Sequence, residues 1–122
     1  MTTEQESAEK RESRPERRRH SRFPLGLPVR VCLAGRTAPV TMELLDVSAG
    51  GGRFRAPAGV VAVDQRAAFG FVVPDLSRCL AKGRVLRVDA AAGHFVLSFD
   101  DANDGFRRFL RLLNRVWSDD GI

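Results

Sequence analysis

The chain is poor in the residues that most chemistry needs. Its 122 residues include two histidines and two cysteines. Cys32 and Cys79 form neither a CxxC pair nor any metal-ligand spacing, which excludes a zinc ribbon or a dithiol redox centre built within this chain. Cys32 lies between Val31 and Leu33, and Cys79 precedes Leu80. Both are therefore expected to be buried, reduced thiols acting as small hydrophobes. No apolar run is long enough to cross a bilayer. The polar, charged start from Met1 to Glu12 is not a secretory leader. The expectation is a cytoplasmic chain with no membrane insertion, and no internal repeat is visible.

The familiar catalytic motifs are missing too. Ser48 is not in a GxSxG elbow, because Asp46 takes the first position. A triad of Ser48, His94 and Asp100 exists only on paper, with nothing local to support it. The run Gly50-Gly51-Gly52 lacks the Lys-Ser or Lys-Thr that follows a phosphate loop. The acidic stretch Asp100 to Gly105 places Leu112 where a calcium loop wants a glutamate. The chain is expected to be no enzyme and to carry no metal or cofactor.

What is present fits one small folded domain. Hydrophobic residues make up 43% of the chain, an ordinary fraction for a globular protein, and the length allows one modest core. The formal net charge of +5 points to an anionic partner. Its distribution is uneven: Arg14, Arg17, Arg18, Arg19 and Arg22 fall together, with only Glu16 among them, just before the first apolar segment. Residues 1–16 have almost no apolar side chain, and Pro15 interrupts any helix, so they are expected to form a disordered or mobile arm. The folded domain is expected over 17–118, with a short tail at 119–122.

Alternation and turn residues predict six strands: Leu27 to Leu33, Pro39 to Val47, Arg53 to Ala56, Gln65 to Val73, Cys79 to Val88, and His94 to Phe99. In the fifth, Leu80, Val85 and Leu86 are expected as apolar anchors. In the sixth, Phe95, Leu97 and Phe99 share a face. Phe106, Phe109, Leu110, Leu113, Val116 and Trp117 then recur at helical spacing, with Arg107, Arg108, Arg111 and Arg115 mostly off that stripe. Asn103 or Asp104 can cap the helix. The helix must lay its aromatic side on the sheet to be stable. The fold class is mainly β: a small antiparallel barrel or rolled sheet with one C-terminal helix against it.

Two motifs carry the functional reading. Arg18 and Arg22 form an RxxxR pair. A guanidinium is always charged and offers planar paired donors, suited to phosphates and to the O6 and N7 acceptors of guanine. Alone, such a cluster equally describes a solvated basic tail or a nonspecific nucleic-acid arm. Asp46-Val47-Ser48-Ala49-Gly50-Gly51 is a DxSxxG pattern at a strand end. The aspartate can accept from the N1 and N2 donors of guanine, and the serine can bond a base or a phosphate oxygen. Gly51 can let a ligand ring approach the backbone or take a positive φ. Alone, these residues equally describe an ordinary turn.

In this order and spacing the two motifs resemble the PilZ family, over roughly Arg17 to Trp117. Leu27-Pro28-Val29-Arg30-Val31 after the arginines, the doubled glycine after the serine, and Gly83-Arg84-Val85-Leu86-Arg87-Val88 add to the likeness. The resemblance implies a six-stranded antiparallel β-barrel that binds cyclic di-GMP; the arm before Phe23 is then expected to order over the ligand and so pass the signal to an effector protein. It implies that Arg18 and Arg22 hold phosphates and guanine faces, that Asp46 and Ser48 read guanine edges, and that Gly51 shapes the floor. Arg17 and Arg19 join as helpers, since the unbroken triplet leaves the register open. Some family members stack a base on an aromatic residue of a later strand; here Arg87 stands near that place, and a guanidinium can also stack on a base. Two alternatives stay open: a PilZ-fold adaptor that works through protein contacts without the ligand, and a nucleic-acid binder using the basic arm, which ranks below both.

Overall fold

A computed structural model describes residues 22–57, 59–74 and 78–120 of the chain, with backbone only from 117 onward. Six strands, β1 Phe23–Leu33, β2 Val40–Val47, β3 Gly51–Arg55, β4 Arg66–Val72, β5 Arg78–Asp89 and β6 His94–Ala102, precede one helix, α1 Asp104–Asp120. The strands close into a barrel in the order β1-β2-β3-β6-β5-β4, with β4 returning to β1. Every neighbouring pair is antiparallel. Closure pairs Arg30 to Leu33 of β1 with Ala67 to Gly70 of β4, so among the described residues each strand has a neighbour on both sides over at least part of its length. The pattern left a barrel or a rolled sheet open; the fold is the six-stranded antiparallel barrel with a C-terminal helix that the family resemblance implied.

The interior is built by alternation. Val29, Val31 and Leu33 of β1, Phe54 of β3, Phe69 of β4, Val85 of β5 and Phe95 and Leu97 of β6 are all buried. Phe54 stacks on Phe95 at 5.0 Å and meets Phe69 edge-on at 4.9 Å, geometries that aromatic quadrupoles favour. Phe106 of α1, fully buried, touches Phe69, Phe71 and Phe99. Phe109 meets Phe71 edge-on at 5.0 Å. The helix thus lays its aromatic side on the barrel, while Arg107, Arg108, Arg111 and Arg115 are exposed. Val116, expected in the apolar stripe, is 47% exposed.

Three expectations about individual side chains are corrected by strand register. Cys79, Ala81 and Val85 face inward along β5, so Leu80 and Leu86 are exposed and, of the three expected anchors, Val85 alone is buried. The alternation holds from Cys79 to Val85 and breaks at the register shift between Val85 and Arg87, beyond which Arg87 too is exposed. Cys32, between inward-facing Val31 and Leu33, is exposed, while Cys79 is buried as expected. The first strand also begins earlier than Leu27: Phe23 is buried and pairs with Val47, beyond an irregularity between Pro24 and Leu27. Likewise β3 starts at Gly51, so two of the turn glycines belong to the strand.

Candidate ligand site at the end of the second strand

The site forms where β1 begins, β2 ends and β3 begins. Leu44 and Val47 of β2 both face the core. Strict alternation would turn the residue at 46 inward with Leu44. Instead, the β2–β3 register shifts between Leu44 and Asp46. A bulge of this kind re-aims the side chains after it. Here it places the Asp46 carboxylate at the surface, 22% exposed, with Val47 returned to the core. One hydrophobic constraint on each side of the bulge therefore holds the aspartate outward.

Two guanidiniums converge on that carboxylate. Pairing of Phe23 with Val47 and Pro24 with Asp46 brings the entry to β1 alongside. Arg22 Nη2 lies 3.5 Å from Asp46 Oδ1. Asp46 faces Arg53 across the β2–β3 pair, and Arg53 Nε lies 3.5 Å from Asp46 Oδ2. Neither contact has closed to a hydrogen bond: Asp46 Oδ1 and Arg53 Nε are both covered atoms without a hydrogen-bond partner. Pairs this exposed contribute about 0–1 kcal/mol each to stability. The arrangement holds charge in place more than it holds the fold together.

The turn that follows is fixed by its own backbone. Ser48 N–H donates to Gly51 O at 2.8 Å, and Phe99 N–H donates to Gly50 O at 3.0 Å, tying the turn to β6. The Ser48 hydroxyl makes only long bonds, donating to Gly51 O and accepting from Gly50 N–H, each at 3.3 Å. Gly51 does not adopt a positive φ; among the described residues the glycines that do are Gly35, Gly59 and Gly93. A Cβ at Gly51 would lie 2.6 Å from Leu97 O, so the local reason for glycine is the close approach of β6.

Arg87 shares a second cleft with Arg53, on the far side of β6. Both residues are opposite Val96, Arg53 from β3 and Arg87 from β5. They line a shallow cleft of about 90 Å³ with Asp89, His94 and Phe95. An outward row thus runs across five strands, with Arg22 at the head of β1, then Asp46, Arg53, Val96 and Arg87. Of the residues expected at a site, the structure brings together Arg22, Asp46, Ser48 and Gly51, while Arg87 is three strands from Asp46 and lines a separate cleft that none of those four reaches. Arg17, Arg18 and Arg19 lie outside the described residues. Arg53 was not among the expected residues. Its signal was the alternation Arg53-Phe54-Arg55, which makes it an outward cation on the strand paired with Asp46, readable only once that pairing is known.

A larger trough of about 620 Å³ lies elsewhere, on the outside of β1, β4 and β5, lined by Cys32, Ala68, Gly70 and Leu80 among others. It contains none of the motif residues. The paper triad is separated: β6 pairs with Gly51 at Ser98 and with Arg55 at His94, placing His94 roughly 13 Å along the strand from the serine turn. Asp100 is paired instead with Arg66 at 2.9 Å. Among the described residues no group of histidine, cysteine or carboxylate side chains could hold a metal ion, and no helix is long and apolar enough to cross a membrane.

Comparison with known proteins agrees with this architecture. No curated protein sequence matches the chain. Among solved structures, the inhibitor of motility (MotI/DgrA) of Bacillus subtilis superposes with a TM-score of 0.64 at 15% sequence identity, over 84% of this chain and 52% of that one. At that identity the likeness shows a shared fold, and this chain spans about half the length of the Bacillus protein. The family model for the PilZ domain matches residues 16–115, a span that includes both arginine and DxSxxG motifs, every strand and most of the helix. On that match, the barrel and the order of its motifs, the chain belongs to the PilZ domain family.

Proposed function

We propose that the chain is a cytoplasmic receptor for cyclic di-GMP, a PilZ module that catalyses nothing and hands its signal to an effector protein. The observation that carries this reading is the meeting of Arg22 with Asp46 beside the Ser48–Gly51 turn, where a covered carboxylate oxygen has no hydrogen-bond donor. An acceptor of that kind suits the adjacent N1–H and N2–H donors of guanine. Arg22, half exposed at the rim, can turn from the carboxylate to a phosphate or to the O6 and N7 edge of the base. The Ser48 hydroxyl, held only by long bonds, is free to take a better partner. Arg87 offers a flat cation for a base to lie on. Gly51 keeps the floor of the site free of side chain.

In this reading the segment carrying Arg17, Arg18 and Arg19 closes over the phosphates, and the arm ordered in this way presents a new surface to the effector. Several charge-assisted hydrogen bonds and a stacked base offset the entropy of fixing it. The test is calorimetric titration of cyclic di-GMP into the wild type and into Arg18→Ala, Arg22→Ala and Asp46→Ala, with GTP, GMP and cyclic di-AMP as controls. Each substitution is expected to weaken binding at least tenfold, about 1.4 kcal/mol or more. Folding should be nearly unaffected by Arg22→Ala, whose guanidinium is half exposed, and Asp46→Ala, at a carboxylate only 22% exposed, is checked for folding by circular dichroism alongside the titration. Unchanged affinity in all three variants removes the site.

A further inference from the structure

We propose that Arg53 is a positioning residue for guanine recognition: it holds one oxygen of Asp46 while Arg22 releases the other to the base. The inference rests on the receptor reading above and assigns a role to a residue outside both motifs.

The two carboxylate oxygens are divided between the two cations. Oδ1 faces Arg22 and Oδ2 faces Arg53, each at 3.5 Å. The cations differ in how they are mounted. Arg22 precedes the first strand, and its side chain is 49% exposed. Arg53 is in the middle of β3, hydrogen-bonded on both sides within the barrel, opposite Asp46 on one strand and Val96 on the other. Its Nε is covered and lacks a hydrogen-bond partner. When a guanine N–H takes over Oδ1, Arg22 is displaced toward the ligand. The carboxylate would then carry its charge in a half-covered place with no fixed partner were Arg53 absent. With Arg53 present, Oδ2 stays neutralised and the carboxylate plane stays aimed. The slack in the present contact, 3.5 Å where a charge-assisted bond closes to about 2.8 Å, leaves room for that adjustment.

This division makes a specificity argument. Guanine presents donors at N1 and N2, whereas adenine presents an acceptor at N1 that repels a carboxylate. A site built to accept a hydrogen bond rejects the analogue lacking the donor only if the acceptor is held where the donor must be. Arg53 therefore acts on discrimination between the two bases, while Arg22, which touches ligand directly, acts on affinity for both.

The experiment is a titration of the full chain with cyclic di-GMP and with cyclic di-AMP, for wild type, Arg53→Ala, Arg53→Lys and Arg55→Ala. Arg55 supplies a matched control: it is on the same strand and carries the same charge, but its guanidinium is bonded to Glu43 at 3.1 Å. Arg53→Ala is expected to weaken cyclic di-GMP binding about tenfold and to shrink the preference over cyclic di-AMP by a similar factor. Arg53→Lys is expected to recover most of the preference, and Arg55→Ala to leave both values within about twofold of wild type. A wild-type preference in Arg53→Ala, or an equal loss in Arg55→Ala, overturns the positioning role and leaves the receptor reading standing. Absence of cyclic di-GMP binding by the wild type overturns both.

Discussion

At Gly51 the barrel has room for no side chain. The Leu97 carbonyl stands 2.6 Å from where a Cβ would be, inside any tolerable contact, so Gly51→Ala must push β3 and β6 apart. The expected cost is about 1–3 kcal/mol, measured as a lowered urea midpoint with unchanged slope; wild-type stability would show that the strands separate freely. The glycine of DxSxxG thus has a structural duty before any ligand arrives. Residue-scale chemistry of this kind is partly legible in the sequence. The motif order placed Asp46, Ser48 and Gly51 at one turn. It could not distinguish the two cysteines, because both have apolar neighbours and only strand register decides which side each faces. Burial raises the Cys79 thiol above its ordinary value of 9.0, against a smaller opposing influence from Arg108, whereas Cys32 is exposed.

Among the elements, the helix was the most readable, since aromatic residues at helical spacing leave few alternatives. Its start shows how one residue joins two elements. Asn103 Oδ1 accepts from Phe106 N–H at 2.9 Å, capping α1, and from Leu80 N–H at 3.0 Å, while its Nδ2 donates to Arg78 O at 2.9 Å. The cap therefore also fastens the helix to β5. Asn103→Ala is expected to destabilise the protein by about 2 kcal/mol, the upper end for a lost cap, and thermal unfolding checks it; a loss below about 0.5 kcal/mol would mean that solvent replaces all three bonds. The strands were legible in number and order. Their irregularities were not: the shift that turns Asp46 outward, and the one near Leu86 that sets Arg87 beside Val96, are outcomes of packing between strands that no local pattern encodes. The importance of Arg53 is hidden from the sequence for the same reason, as it comes wholly from what faces it.

For the whole molecule, the aromatic core and the charged row divide the work. Phenylalanines from three strands and α1 pack into one aromatic cluster. On that frame, residues distant in sequence, from Arg22 to Arg87, share one outward row. The central claim is that this row, and not the larger apolar trough, receives cyclic di-GMP. The direct measurement is a 1H–15N correlation spectrum of the labelled protein during titration with cyclic di-GMP. The account predicts that the amides of Arg22, Asp46 to Gly51, Arg53 and Arg87 shift first and furthest. Shifts centred on Cys32, Gly70 and Leu80, or no shift at saturating ligand, would contradict it.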